Sequence, residues 1–104
     1  MLSLKQAKCV CDNIHRANNS ELKASISALS DFFEKDRDKK IIMFYLNGYH
    51  YVEIASLLNV SIPTIYRKRE LLYNLVRCHL TEEQVAEVLD CFWKEKENVS
   101  NGNV

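Results

Sequence analysis

The hydrophobic residues of this chain recur three and four positions apart, which is the spacing of one face of an α-helix. A first stripe predicts a helix from about Ser3 to Ala17, and a second predicts a helix with Ser20 as its N-cap. The stripes are Leu4, Ala7, Cys11 and Ile14, followed by Leu22, Ile26, Leu29 and Phe33. Alternating runs typical of strands are few, so the pattern indicates a mostly helical protein.

Polar and turn residues divide the next part of the chain. The charged run 34–40 has mixed signs, and we interpret it as a solvated connection or a first helical turn. A third, apolar helix covers Ile41–Leu46 and ends at Gly48, because glycine adopts the left-handed backbone of a helix C-terminus without a Cβ clash. A fourth helix is predicted over about Tyr51–Leu58, followed by a short turn at Asn59 and Val60.

Two longer helices are predicted beyond this turn. Ser61 caps one that extends to about His79, with Pro63 in its first turn, where a missing N–H costs no intrahelical bond. The last helix, 81–97, begins at a capping box in which Gln84 is the third helical residue. Its apolar stripe consists of Val85, Val88, Leu89 and Phe92, with Trp93 beside it.

These elements predict one all-α domain over residues 1–104, a small helical bundle with a central helix-turn-helix and about six helices. We interpret residues 1–35 as accessory N-terminal helices and 37–79 as the helix-turn-helix core. Residues 81–97 are a candidate for pairing two copies, and 98–104 are predicted to be a frayed tail.

Composition narrows the function classes only slightly. Of the 104 residues 47% are hydrophobic, and 14 Lys and Arg balance 14 Asp and Glu. Zero net charge does not exclude DNA as a partner, because a local basic patch can suffice. No apolar run approaches the roughly 20 residues that span a bilayer, and the N-terminus is too polar for a secretory signal. We therefore expect a cytoplasmic protein without a membrane partner.

The cysteines and histidines do not suggest catalysis or metal binding. Cys9 and Cys11 point about 200° apart on a helix, so one metal cannot hold both. Cys78, His79 and Cys91 lack the spacing of a zinc finger. The other histidines have no acid or nucleophile at a useful spacing. We expect free thiols, no cofactor, no metal and no enzymatic activity.

The segment 48–69 carries the strongest functional signal. Ala55 is placed where two successive helices would cross, because a larger side chain would hold them apart. Val60 closes the turn, and Ile65 anchors the second helix on the core, with Leu72 continuing its buried stripe. Ile54 and Leu58 point into the same core.

This segment resembles the helix-turn-helix of sigma factor region 4 and of LuxR-like output domains, and the end of small phage-type activators of the ArpU-like and RinA-like groups. The resemblance extends over about residues 37–76. It rests on Gly48-Tyr49, Tyr51, Glu53-Ile54-Ala55, Leu58, Val60-Ser61 and Thr64-Ile65. It implies binding of double-stranded DNA, with residues 61 to about 73 as recognition helix in the major groove. Two residues depart from the pattern: His50 replaces the usual Ser or Thr cap, and Asn59 replaces a common Gly.

The outward side of this helix supplies the candidate DNA contacts. We expect Tyr66 and Arg67 to contact base edges. We expect Lys68 and Arg69 to contact phosphates, with the head of Arg69 pointing outward. The full candidate set is Ser61, Ile62, Pro63, Thr64, Tyr66, Arg67, Lys68, Arg69 and Glu70. The formal charge is +3 over residues 61–80 and −4 over 81–97, so the neutral total conceals a basic recognition helix. The neighbouring aromatic residues Phe44, Tyr45, Tyr49 and Tyr51 are interpreted as core and rim packing.

Three functions remain open from the sequence. The first is a sequence-specific transcriptional regulator of bacterial, phage or plasmid type that acts as a homodimer. The second is a DNA-handling adaptor of small terminase-like or partition-like type. The third is a protein-interaction module that contacts RNA polymerase or a sigma factor.

Overall fold

The computed structural model describes the backbone of residues 1–101 and the side chains of residues 1–93, and this part of the chain contains no β-strand. Its six α-helices are α1 Leu4–Asn13, α2 Ser20–Ala28, α3 Asp36–Leu46, α4 Tyr51–Leu58, α5 Ile62–His79 and α6 Glu82–Asn101. Single 3₁₀ turns, Ile14–Arg16 and Leu29–Phe32, follow α1 and α2. The prediction of an all-α bundle of about six helices is confirmed.

Most helix starts follow from side-chain caps. The Oγ1 atom of Thr81 accepts from the N–H of Gln84 at 3.2 Å, and Gln84 Oε1 accepts from the N–H of Thr81 at 2.8 Å, which is the predicted capping box. The predicted cap of α2 is wrong by one residue. Asn19, rather than Ser20, accepts from the N–H of Leu22 at 2.9 Å, and Ser20 is the first helical residue. The charged run largely belongs to α3, which starts at residue 36.

One hydrophobic core joins all six helices. The buried residues form a single cluster that includes side chains from every helix. Helix α5 lies at its centre and contacts α1, α3 and α4, and α1 also packs along α6. Ile65, Leu72 and Val76 of α5 are fully buried. A single core of this kind fits one domain, in which the N-terminal helices are part of the packing.

Helix α6 uses its apolar stripe within the monomer. Val85 is 0% and Val88 2% exposed, and the guanidinium carbon of Arg16 lies 4.5 Å from the centroid of the Phe92 ring. The stripe of residues 81–97, a candidate for pairing two copies, is therefore buried at Val85 and Val88 and partly buried at Leu89 and Phe92. Dimerisation itself stays a prediction. The helix continues past Glu97 to Asn101, and residues 102–104 of the predicted frayed tail lie outside the described residues.

Among the helices described, none is both long enough and apolar enough to cross a membrane.

Candidate nucleic-acid interface

Helices α3, α4 and α5 form a compact three-helix unit. Each of the three contacts the other two, and only residues 59–61 separate α4 from α5. Asn59 ends α4 in the left-handed conformation with φ 51°, and the N–H of Val60 donates to the carbonyl of Ala55 at 3.1 Å. Asparagine tolerates this backbone because its short polar side chain can hydrogen-bond locally. The turn thus forms without the glycine that is common there.

His50 caps α4 in place of a serine or threonine. Its backbone N–H donates to Glu53 Oε1 at 3.0 Å, and its Nδ1 accepts from the N–H of Val52 at a long 3.4 Å. The glutamate bond is therefore the stronger half of this capping box. Glu53 is exposed and lies in the first helical turn, where the negative charge of its carboxylate also interacts favourably with the helix dipole.

The inward face of the unit matches the sequence interpretation. Ile54 and Ile65 are fully buried. Ala55, Leu58 and Val60 are partly buried and pack against the core. These contacts fix α5 against α3 and α4, so its opposite face is turned away from the core.

The N-terminal turns of α5 present a mixed polar and aromatic surface. Ser61 Oγ caps the helix by accepting from the N–H of Thr64 at 3.3 Å, and Arg67 Nη2 donates to Thr64 Oγ1 at 3.3 Å. Tyr66 is 40% exposed. The remaining predicted contact residues divide into exposed Ser61, Pro63, Arg67 and Glu70, and half-buried Ile62 and Thr64.

Lys68 is held by an acid that the sequence analysis did not single out. Its Nζ lies 3.1 Å from Oδ2 of Asp38, whose other oxygen is 3.2 Å from Arg37 Nη2. Burial alone would raise the pKa of the Asp38 carboxyl, but the hydrogen bonds and charges of Lys68 and Arg37 outweigh it and hold the pKa below its usual value. A phosphate contact by Lys68 would have to compete with this ion pair. The signal available in the sequence was an acid, Asp38, among the basic residues of the mixed-charge run 34–40.

Arg69 is enclosed by aromatic rings. Its guanidinium carbon lies 4.7 Å from the centroid of Tyr66 and 5.3 Å from that of Tyr45. Its Nε is buried and has no hydrogen-bond acceptor in the described part of the chain. Cation–π contacts of this kind contribute about 0.5–2 kcal/mol and here offset part of the cost of burying that N–H. The stem of Arg69 is therefore buried at Nε and its guanidinium packs over two rings, while the expected outward direction of its terminal nitrogens stays a prediction.

The aromatic residues near the motif pack as predicted. Tyr45 is 6% exposed, whereas Tyr49 is 40% exposed and its ring centroid lies 4.8 Å from that of Phe44. The rings of Tyr51 and Tyr66 are 5.5 Å apart. Tyr66 is thus the aromatic side chain that joins this cluster to the outward face of α5.

Charge is separated along the chain. Residues 35–80 carry eight Lys and Arg against four Asp and Glu, a formal charge of +4, while residues 1–34 are neutral and 81–104 carry −4. Lys35, Arg37, Lys40 and Arg67 are exposed within the basic part. The three-helix unit is therefore the part of the molecule suited to a polyanion.

The structure gives no metal centre within the described residues: no group of three or more His, Cys, Asp or Glu could hold an ion. No disulfide bond joins the four cysteines, of which Cys9 and Cys11 are buried and Cys78 and Cys91 are exposed.

In comparisons with known proteins, no protein-family model matches the chain, and neither the curated proteins nor the solved structures give a significant match.

Proposed function

We propose that this protein is a cytoplasmic, sequence-specific DNA-binding regulator of transcription, and that the N-terminal half of α5 lies in the major groove. The observation that carries the proposal is the outward face of α5. Pro63, Tyr66, Arg67 and Glu70 are exposed there, directly after a tight turn, while Ile65 is fully buried on the opposite face. A rigid helix with polar and aromatic groups on one side is what major-groove contact requires.

The charge distribution supports a polyanionic partner. The basic three-helix unit would approach phosphates, whereas the −4 charge of residues 81–104 keeps the C-terminal part away from them. Arg67 is the best candidate for direct base contact, because arginine can donate two hydrogen bonds to guanine O6 and N7. Its present bond to Thr64 is exposed and easily exchanged for a base.

Selection from a random DNA library with the purified protein tests the proposal. The selected sequence is then measured by fluorescence anisotropy against scrambled DNA. Arg67→Ala is expected to weaken binding to the selected sequence by about 1–3 kcal/mol and to relax preference at one position. Lys5→Ala removes the same charge from an exposed site on α1 and serves as the matched control.

If wild type selects no sequence and is not retained on DNA at low salt, the proposal fails. If Arg67→Ala equals wild type in both affinity and preference, the assignment of this residue fails. Sedimentation of the same samples gives the number of chains per DNA site, which decides whether the predicted homodimer exists.

A protein-interaction module is the second candidate, because the three-helix unit also exposes apolar side chains. Val52, Leu57 and Leu71 are 51%, 60% and 50% exposed. These residues would suit a contact with another protein, such as RNA polymerase. Leu57→Ser is expected to leave DNA affinity unchanged, and loss of polymerase binding in a pull-down would support this second role.

A further inference from the structure

Tyr66 is held from two sides, although it lies on the outward face of α5. The ring of Tyr51 lies 5.5 Å from it, and the guanidinium of Arg69 lies 4.7 Å from its centroid. The same guanidinium also lies 5.3 Å from the buried ring of Tyr45. Arg69 therefore connects the exposed tyrosine to the core of the three-helix unit.

This arrangement restricts what Arg69 can do. Its Nε is buried and its guanidinium lies over two rings, so only its terminal N–H groups are left for other partners, and moving the head toward a phosphate would weaken both ring contacts. The ring of Tyr66, in contrast, remains 40% exposed and loses rotational freedom through the contacts on its sides. A fixed ring on a recognition helix can make an apolar contact with the C5-methyl group of thymine.

We propose that Arg69 is a positioning residue that holds Tyr66 against a thymine in the major groove, and that it does not itself bind phosphate. The inference rests on the proposed DNA-binding function and deepens it, since it names a base and the side chain that contacts it.

Salt dependence separates the two roles of Arg69. The slope of log K against log salt is negative, and each phosphate contact that is lost makes it shallower by about 0.9 and weakens binding to all sequences alike. Loss of positioning leaves the slope unchanged and lowers only the preference for the selected sequence. Lysine preserves the charge but lacks the planar guanidinium that stacks on rings.

The experiment measures binding of wild type, Arg69→Met, Arg69→Lys, Tyr66→Ala and the double variant Arg69→Met/Tyr66→Ala to the selected and to scrambled DNA over a range of salt concentrations. Lys5→Met on α1 is the matched control for loss of an exposed positive charge outside the three-helix unit. Thermal melts establish that each variant is folded. If Arg69→Met does not fold, Arg69→Lys alone tests the positioning role.

We expect Arg69→Met and Arg69→Lys to lose preference for the selected sequence about tenfold with an unchanged salt slope, and thymine preference to disappear at one position. Arg69→Met combined with Tyr66→Ala should lose no more than Tyr66→Ala alone, because both changes remove the same contact. A reduced slope in Arg69→Met with wild-type behaviour in Arg69→Lys would overturn the assignment and make Arg69 a phosphate ligand. Additive losses would also overturn it. If wild type itself selects no sequence, the proposed function fails and the assignment fails with it.

Discussion

Gly48→Ala is expected to destabilise the protein for two separable reasons. The first is backbone conformation, because Gly48 has φ +91°, where a residue with a Cβ is strained. A left-handed backbone costs an L-residue about 1–2 kcal/mol. Alanine also restricts the unfolded chain, which offsets about 0.4–1 kcal/mol of that cost.

The second reason is a contact with His15. A Cβ added at Gly48 would lie 2.7 Å from Cδ2 and 3.0 Å from Cγ and Nε2 of the His15 ring. The ring must move, but His15 is exposed, so the cost should stay near the lower end of the 1–3 kcal/mol typical of overpacking. The two terms together, less the offset from the unfolded chain, predict a loss of about 1–2.5 kcal/mol in the free energy of unfolding.

A double-mutant cycle separates the two terms. Urea denaturation is measured for wild type, Gly48→Ala, His15→Ala and the double variant at constant pH. His15→Ala alone should change little, and in its background Gly48→Ala should cost less by about 1 kcal/mol, since the steric term is gone. A cycle with no coupling would show that the ring does not meet the new methyl group. A Gly48→Ala variant as stable as wild type would refute the backbone argument as well.

Two further substitutions test how α3, α4 and α5 are held together. Asp38→Asn should lower the free energy of unfolding at neutral pH. The folded-state pKa of Asp38 lies below its ordinary value of 3.8, so the carboxylate stabilises the wild type most where it is ionised in both states. The difference in free energy of unfolding between wild type and variant should therefore persist above about pH 5 and shrink as the pH falls below 3.8. A gap that is unchanged at pH 2.5 in urea titrations would contradict the ion-pair role. Ala55→Leu should cost about 1–3 kcal/mol by overpacking at the α4–α5 contact, whereas Ser56→Leu at the exposed neighbouring position should not. Equal melting temperatures of these two variants by circular dichroism would remove Ala55 from the helix crossing.

The sequence predicts those features that depend on neighbours along the chain. The bounds of α4 agree with the structure at both ends, because the turn at Asn59 and Val60 and the residues before Tyr51 stop the helix locally. The inward positions Ile54 and Ile65 follow from helical periodicity. The exact cap of α2 does not follow, since Asn19 and Ser20 are both good capping residues and only the backbone decides between them.

Partners that come from distant parts of the chain cannot be predicted in this way. Helical geometry places Lys68 and Arg69 near the rim of α5, but it does not say that Asp38 and Tyr45 of α3 lie opposite them. The stripe of α6 is likewise compatible with a partner in the same chain or in a second copy. The structure packs part of this stripe against α1, and no local pattern contains that information.

A buried chain of hydroxyl groups gives a prediction that depends on the direction of its hydrogen bonds. The hydroxyl of Tyr45 donates to the carboxylate of Asp12 and lies 2.9 Å from the hydroxyl of Tyr73. Burial raises the pKa of Tyr45, and it raises that of Tyr73 to about 12, so both phenols are protonated at neutral pH. Because Tyr45 gives its only proton to Asp12, Tyr73 must donate to Tyr45.

The two tyrosine-to-phenylalanine variants should therefore differ. Tyr73→Phe removes one neutral hydrogen bond and should cost about 0.5–1.5 kcal/mol. Tyr45→Phe removes the bond to a charged acceptor and also leaves the Tyr73 hydroxyl without its partner, so it should cost about 2–4 kcal/mol. The double variant should be no worse than Tyr45→Phe, since neither hydroxyl of this pair then remains. Urea denaturation measures all three, and a larger loss in Tyr73→Phe would reverse the assigned direction. Tyr45→Phe keeps the ring beside Arg69, so its DNA preference should equal that of wild type even though its stability does not.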